Sequence, residues 1–288
     1  MISQASNYRR RAIVDQIMRG MAILATIVAL IPLFLIIGYV IVRGGSSFSI
    51  AFFTEAYRAP IALGDDIRSP GGVLHGIVGT ILITGLATLI AMPVGIMAGI
   101  FLAEYPSNSV AMTVRFCTDV LSAAPSIIVG VVAYTLIVRT TGAFAGYIGS
   151  IALAVLMIPI ITRTTEEILK LVPQTVREAS MALGAPKWWR TLTVVLPAAL
   201  GAIVTGVMLA FARAAGETAP LILTVLGNNN LSYNLMAPIA ALPLLTYRYT
   251  EQPFPVLNDL AWGTALVLTL MVLLVNISVR VATRNRLR

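Results

Sequence analysis

Arg213 and Glu217 stand in an otherwise apolar stretch, within Arg213-Ala214-Ala215-Gly216-Glu217-Thr218-Ala219-Pro220. Four residues apart, they share one face of a helix. They are the one ionisable cluster inside the apolar regions. A guanidinium is a permanently charged, forked donor suited to a tetrahedral oxyanion, and Glu217 can hold it in place or neutralise it once an anion has left. An unpaired Arg at the centre of a membrane helix costs at least ~2.5 kcal/mol on insertion scales, so something must face it. Glu217 is the nearest candidate. Gly216 and Pro220 weaken the helix and can free backbone groups for a ligand. The same pair could serve equally to tie two helices together, and the residues alone do not choose between these readings.

Other chemistry is missing from the chain. No Gly-rich loop ends in Gly-Lys-Ser/Thr, and the lysines are Lys170 and Lys187 alone, so the chain is not expected to hydrolyse ATP itself. One His and one Cys leave no material for the common nucleophile or metal constellations, and neither cofactor nor metal is expected. His75 has Asp65 and Asp66 near it in sequence but lacks repeated ligand spacing. Cys117 cannot form an intrachain disulfide, and its place near a helix end suggests packing. Energy for any transport must come from a partner or a gradient.

The elements that would position Arg213 are membrane helices. With 58% hydrophobic and 11% charged residues over 288, the chain is too apolar for one soluble domain. Apolar stretches run over 21–42, 76–103, 120–138, 140–162, 191–212 and 260–279. Each approaches or exceeds the ~20 residues that an α-helix needs to cross the hydrocarbon core. Period-two alternation is absent and lipid cannot satisfy open strand edges, so the expected class is all-α with six transmembrane helices. Arg213 lies 16 residues beyond Pro197, or roughly 24 Å along a straight helix, towards the outer side. The segment 218–247 is uncharged but broken by Gly227, Asn228-Asn229-Asn230, Pro238 and Pro243. It reads as external loop with a short re-entrant or interfacial piece. Gly95 and Gly99, like Gly142 and Gly146, have spacing that lets helices approach closely.

Charge fixes the expected orientation. With both termini in the cytosol, 14 of the 20 Lys and Arg residues fall inside and five outside, Arg213 remaining within a span. The net charge of +8 is therefore a topology signal. Basic residues are dispersed over loops with no aromatic-interleaved patch, so no nucleic-acid partner is expected. The N-terminal apolar run is too long for a cleaved signal and should remain as the first span. The expected divisions are a basic cytosolic tail (1–20), a first span with external connection (21–72), a five-helix core (73–283) and a cytosolic tail (284–288).

A polar loop, 162–193, interrupts the core. Val172, Val176, Ala179 and Leu183 recur at helical spacing, with Gln174, Arg177, Glu178 and Met181 on the other side. Gly184 can adopt the left-handed conformation that ends such a helix, and Pro186 suits the start of a second one through Trp188 and Trp189. A helix of roughly ten residues is marginal alone in water, so the element needs a docking surface.

Within it, Glu178-Ala179-Ser180, Gly184, Val194 and Leu196-Pro197 are spaced as in the EAA loop of ABC importer permeases. Ser180 and Val194 depart from that pattern by one size-conserving change each. The 213–220 run, with Gly79–Leu82 after Gly71-Gly72, the run Gly99–Tyr105 and the run Ala124–Gly130, resembles phosphate-specific ABC importer permeases of the PstA type. The resemblance covers about 71–280. It implies a type I importer permease fold in a bacterial inner membrane, noncatalytic, pairing with a homologous permease. It also implies two cytosolic ATP-binding subunits and an external phosphate-binding protein. Glu178, Ala179, Ser180, Leu183, Gly184, Ala185, Pro186 and Trp188 would couple to the ATPase. Arg213 and Glu217 would line the phosphate path, with Thr218, Ser122 and Ser126 as secondary candidates, though membrane hydroxyls commonly bond their own backbone. Another oxyanion, sulfate or molybdate, and a proton-coupled carrier using Glu217 are the competing expectations.

Overall fold

The computed structural model describes residues 2–63, 66–68 and 71–284. Asp65 and residues 285–288 of the expected cytosolic tail lie outside them. Among the described residues the regular structure is helical apart from one hairpin, β1 (Ile61–Leu63) antiparallel to β2 (Asp66–Arg68), and an isolated bridge between Leu226 and Ile239. In order come α1 (Ile2–Gly45), α2 (Ile50–Thr54), α3 (Leu74–Glu104), α4 (Ser109–Ala123), α5 (Ser126–Ala133), a π turn (Tyr134–Val138) and α6 (Arg139–Thr141). Then follow α7 (Gly146–Lys170), α8 (Gln174–Ala182), α9 (Lys187–Arg190) and a second π turn (Thr191–Val195). The chain closes with α10 (Leu196–Ala215), α11 (Ala219–Thr224), α12 (Leu242–Thr250) and α13 (Pro255–Arg284).

Among the described residues five helical runs are long and apolar enough to cross a membrane, and a bent pair makes a sixth. The bend is where sequence periodicity misleads. A straight span over 120–138 is expected. Instead α4 stops at Ala123, Ala124 turns extended at ψ 133°, and the helix resumes as α5 at 101°. Pro125 causes this, because its ring excludes the helical region for the residue before it. Gly142, at φ +69°, then ends α6, and nothing stands within 4 Å of where a side chain would begin. It is a turn glycine and not the helix-packing glycine expected from its spacing with Gly146. As a result α7 starts at Gly146 and stays helical to Lys170, through the first third of the expected loop.

The core is built on α3 against α7. Their approach is close because a carbon added at Gly99 would sit 2.5 Å from Thr165 Cβ, and one at Gly95 would sit 2.7 Å from Ile161 Cβ. Small residues are what permit such contact where lipid removes any hydrophobic drive between helices. Ile83, Ala87 and Ala91 of α3, Leu153, Met157 and Ile161 of α7, and Val207, Ala210 and Ala214 of α10 fill the interface. The short α11 and α12 dip into this bundle. Leu221 and Thr224 of α11 are buried beside α5 and α7, and Leu242, Leu244 and Leu245 of α12 beside α13 and α3. No seventh span forms from 218–250, but the segment is more deeply buried than a loop. By contrast α1 leaves its apolar surface uncovered and leans on α13, where Tyr39 meets the edge of Trp262 at 4.8 Å. A helix apolar all round has lipid or another apolar chain as its solvent. Cys117 is exposed on α4, so the packing role expected of it is not seen. His75 is buried at the start of α3.

Candidate functional site

The bend in the α4–α5 pair opens a cavity of about 260 Å³, level with the middle of α7. Ser122 and Ser126 flank the bend, Leu156, Met157 and Ile160 supply the α7 wall, and Arg213 enters from the last turn of α10; Glu217 enters from the break after α10 ends at Ala215, so the two do not share the helix face expected of them. Four of the five residues expected on a substrate path therefore share one cavity. Thr218, the fifth, follows Glu217 but is not among the lining residues; its carbonyl accepts from Leu221 and Ile222 as α11 begins.

The electrostatics of the cavity favour an anion. Arg213 Nε stands 4.0 Å from Glu217 Oε1, beyond hydrogen-bond range, and among the described residues no other carboxylate is in ion-pair range. The Arg213 side chain is 66% exposed while that of Glu217 is 21% exposed. The guanidinium thus presents most of its donors to open space, with its charge only loosely answered. The first turn of α5 starts in the same wall, and a helix start carries amide N–H groups without intrahelical partners and a partial positive charge. Neither Ser122 nor Ser126 donates its hydroxyl to the backbone, unlike Thr118 and Thr135 on the same bent pair. The bland expectation for membrane hydroxyls fails at these two positions.

The second feature is the α8–α9 element that follows α7. Gly184 takes φ +77° and ends α8, as the sequence suggests. Pro186 stands one residue before α9, as its cap. The side turned to the bundle is polar: Arg177 reaches inward and Ser180 is buried. The apolar stripe instead faces away, with Leu183 89% and Trp188 61% exposed, and Met181 and Trp189 exposed beside them. Glu178 and Ala179 are exposed too, and Ala185 is half-buried with its N–H on the Ser180 carbonyl. Val172, at the head of the stripe, packs on the bundle, but from Val176 onward the stripe is exposed and open to a partner.

Sequence reading missed what anchors this element. Glu104, at the end of α3, receives Arg177 from α8 and Arg190 from α9, the latter at 3.3 Å. Lys187 Nζ donates to the Glu104 carbonyl at 2.5 Å and lies 3.8 Å over the Tyr105 ring. A second hub, Glu166 on α7, accepts from Arg115 of α4 at 2.6 Å and from Lys170 at 2.6 Å. Arg213 and Glu217 are therefore not the one ionisable cluster within the membrane helices. The available signal was that α3 and α7 each carry a Glu near the end of an apolar run, with cations following in sequence.

Comparison with known proteins follows the same lines. Residues 95–285 match the family described as binding-protein-dependent transport system inner membrane component. The phosphate transport system permease protein PstA of Haemophilus influenzae is 42% identical over 273 residues, covering 94% of each chain. The protein of that name from Yersinia pestis is 46% identical over 242 residues, covering 84% of this chain and 80% of the relative. Among solved structures, an inward-facing MetNI methionine ABC transporter superposes with a TM-score of 0.64 at 20% identity, over 75% of this chain and 96% of the other, a likeness of fold alone.

Proposed function

The chain belongs to the family of binding-protein-dependent transport system inner membrane components, and from that membership we propose that it is the noncatalytic permease subunit of an ATP-driven importer whose cargo is inorganic phosphate. The observation that carries the cargo reading is the under-paired Arg213 guanidinium facing a cavity it shares with two unengaged serine hydroxyls. Phosphate offers oxygens for bidentate pairing with Arg213 and for acceptance from Ser122, Ser126 and the first turn of α5. The names of the similar permeases point the same way.

The partners follow from the chemistry left open. A homologous permease would complete the cavity on the side that this chain leaves uncovered. Two cytosolic ATP-binding subunits would cover the stripe of Leu183 and Trp188, and an external binding protein would deliver phosphate. Residues 73–283 form the permease core in this reading, with 21–72 packed outside it and 1–20 and 284–288 as cytosolic tails. Both termini then lie in the cytoplasm of a bacterial cell, with Arg213 on the outer side of the coupling element. Mechanically, α9, its π turn and α10 make one helical run of 29 residues, Lys187–Ala215, about 43 Å long. Movement imposed on Trp188 reaches Arg213 along a continuous backbone.

The test is reconstitution of the complete complex in liposomes. ATP-dependent uptake of labelled phosphate is expected, competed by phosphate and not by sulfate or molybdate. Arg213→Gln should abolish uptake while leaving the complex assembled. Uptake at the wild-type rate in that variant removes Arg213 from the path, and uptake without nucleotide removes the ATP-driven reading.

A further inference from the structure

Beneath the cavity, on the side of the coupling element, its two principal walls are tied together by charge. Ser122 lines the cavity from α4, and Asp119 and Arg115 lie three and seven residues earlier, on the same helix face. Leu156 and Ile160 line it from α7, and Arg163 continues that stripe at seven and three residues further on. One turn below the cavity, roughly 4.5 Å along each helix, the stripes meet: Arg163 grips Asp119 through Nε, at 2.9 Å, and through Nη2. This contact bridges α4 and α7 on the side of the cavity nearer α8 and α9.

The two carboxylates near Arg163 differ in a way that suits a latch. Glu166 is 1% exposed and already engaged by Arg115 and Lys170, while Arg163 Nη1 reaches it only at 3.5 Å. Its position is fixed by neighbours on both helices. Asp119 is 52% exposed and, among the described residues, is held by Arg163 alone. The interior pair stays and the exposed pair can part. When it does, Arg163 remains tethered near Glu166 with two donors freed, in the geometry that just held a carboxylate. An oxyanion presents the same pair of oxygens to the same fork. The helix carrying Arg163 runs directly into α8, so displacement of the coupling element acts on this end of α7.

We propose that Asp119 and Arg163 form the inner gate of the anion path, closed by their ion pair and opened when an outgoing oxyanion replaces the Asp119 carboxylate on Arg163. The identity of the oxyanion rests on the phosphate reading above; the latch does not. The complete complex, reconstituted in liposomes without nucleotide, is loaded in one arm with labelled phosphate and in the other with a halide-quenched dye, so that the second arm reads the seal whatever the cargo. Asp119→Asn and Arg163→Gln are each expected to raise passive anion flux about two- to fivefold, the range for loss of a partly exposed pair. The conservative Asp119→Glu, which keeps a carboxylate opposite Arg163 and leaves Arg163 beside Glu166, should hold halide flux near the wild-type level. Asp15→Asn, an exposed acid on α1 away from the pair, controls for a general change in surface charge and should leave flux unaltered. Assembly is checked for every variant by size-exclusion chromatography. Wild-type halide tightness in both single variants overturns the gate. Equal leakage from Asp15→Asn, or an Asp119→Glu variant that assembles but leaks like Asp119→Asn, overturns it as well. A wild-type complex that takes up no phosphate with ATP counts against the cargo and leaves the halide comparison decisive for the latch.

Discussion

Glu104→Gln removes one buried negative charge and leaves its shape. The Glu104 side chain is 3% exposed and faces Arg177 and Arg190, themselves 12% and 9% exposed. Without the carboxylate, two guanidinium groups share a low-dielectric site with no counter-ion. Breaking a buried pair by removing one partner costs about 3–5 kcal/mol, and the low end applies because Gln keeps an acceptor and Lys187 keeps its bond to the backbone carbonyl. The cheapest relief is for α8 and α9 to swing off the end of α3 into water, where both cations are solvated. A loss of about 3 kcal/mol then lowers the docked-to-undocked ratio about a hundredfold, at ~1.4 kcal/mol per tenfold. Hydrogen-exchange mass spectrometry on the assembled complex should show amides of 174–190 exchanging faster by about that factor, with the middle of α7 unchanged. ATP hydrolysis should continue while phosphate moved per ATP falls. Unchanged exchange over 174–190 together with unchanged coupling refutes the reasoning. Loss of protection throughout the bundle refutes it differently, because Glu104 would then be holding the fold together and not the coupling element in place.

Two further substitutions probe other surfaces. Leu183→Asp changes a side chain that is 89% exposed, so the bundle should fold as before, while association with the ATP-binding subunits weakens on the order of tenfold or more in a pull-down; unchanged association removes the apolar stripe as a docking face. Gly99→Val forces a carbon to within 2.5 Å of Thr165 Cβ, and overpacking of this kind costs about 1–3 kcal/mol, so the solubilised protein should melt at a lower temperature; an unaltered melting profile refutes the close approach of α3 and α7.

What the sequence discloses and what it hides separate along physical lines. The apolar runs of α1, α3, α10 and α13 and the left-handed Gly184 are local properties that survive in the fold, whereas Glu217 falls past the end of α10 and keeps only its 4.0 Å proximity to Arg213, not a shared helix face. Small-residue spacing finds the Gly95 and Gly99 contacts but misreads Gly142, because close packing and a tight turn demand the same missing side chain. The bend at Ala124-Pro125 was written in the Pro, yet a hydropathy window averages over it. Because the bend creates the cavity, Ser122 and Ser126 could be named as candidates but not brought together with Arg213 by any sequence argument. Ion pairs such as Glu104 with Arg177 join residues far apart in the chain, and one sequence carries no record of such pairing.

The two ionic hubs also change how force must travel. The helical run Lys187–Ala215 alone would carry motion to Arg213, but a single helix hinged at its π turn could bend and dissipate it. Glu104 fastens both α8 and α9 to α3, α3 packs on α7 through Gly95 and Gly99, and α7 enters α8 through 171–173. The coupling element is therefore gripped at both ends of its sequence and across its inner face. Displacing it must shift α7 and α10 together, and these two helices bear Ile160 and Arg213 on opposing sides of one cavity. In the proposed importer, a push delivered to Trp188 would therefore change the width of that cavity as well as its depth, which is the motion an anion path needs if one end is to open while the other shuts.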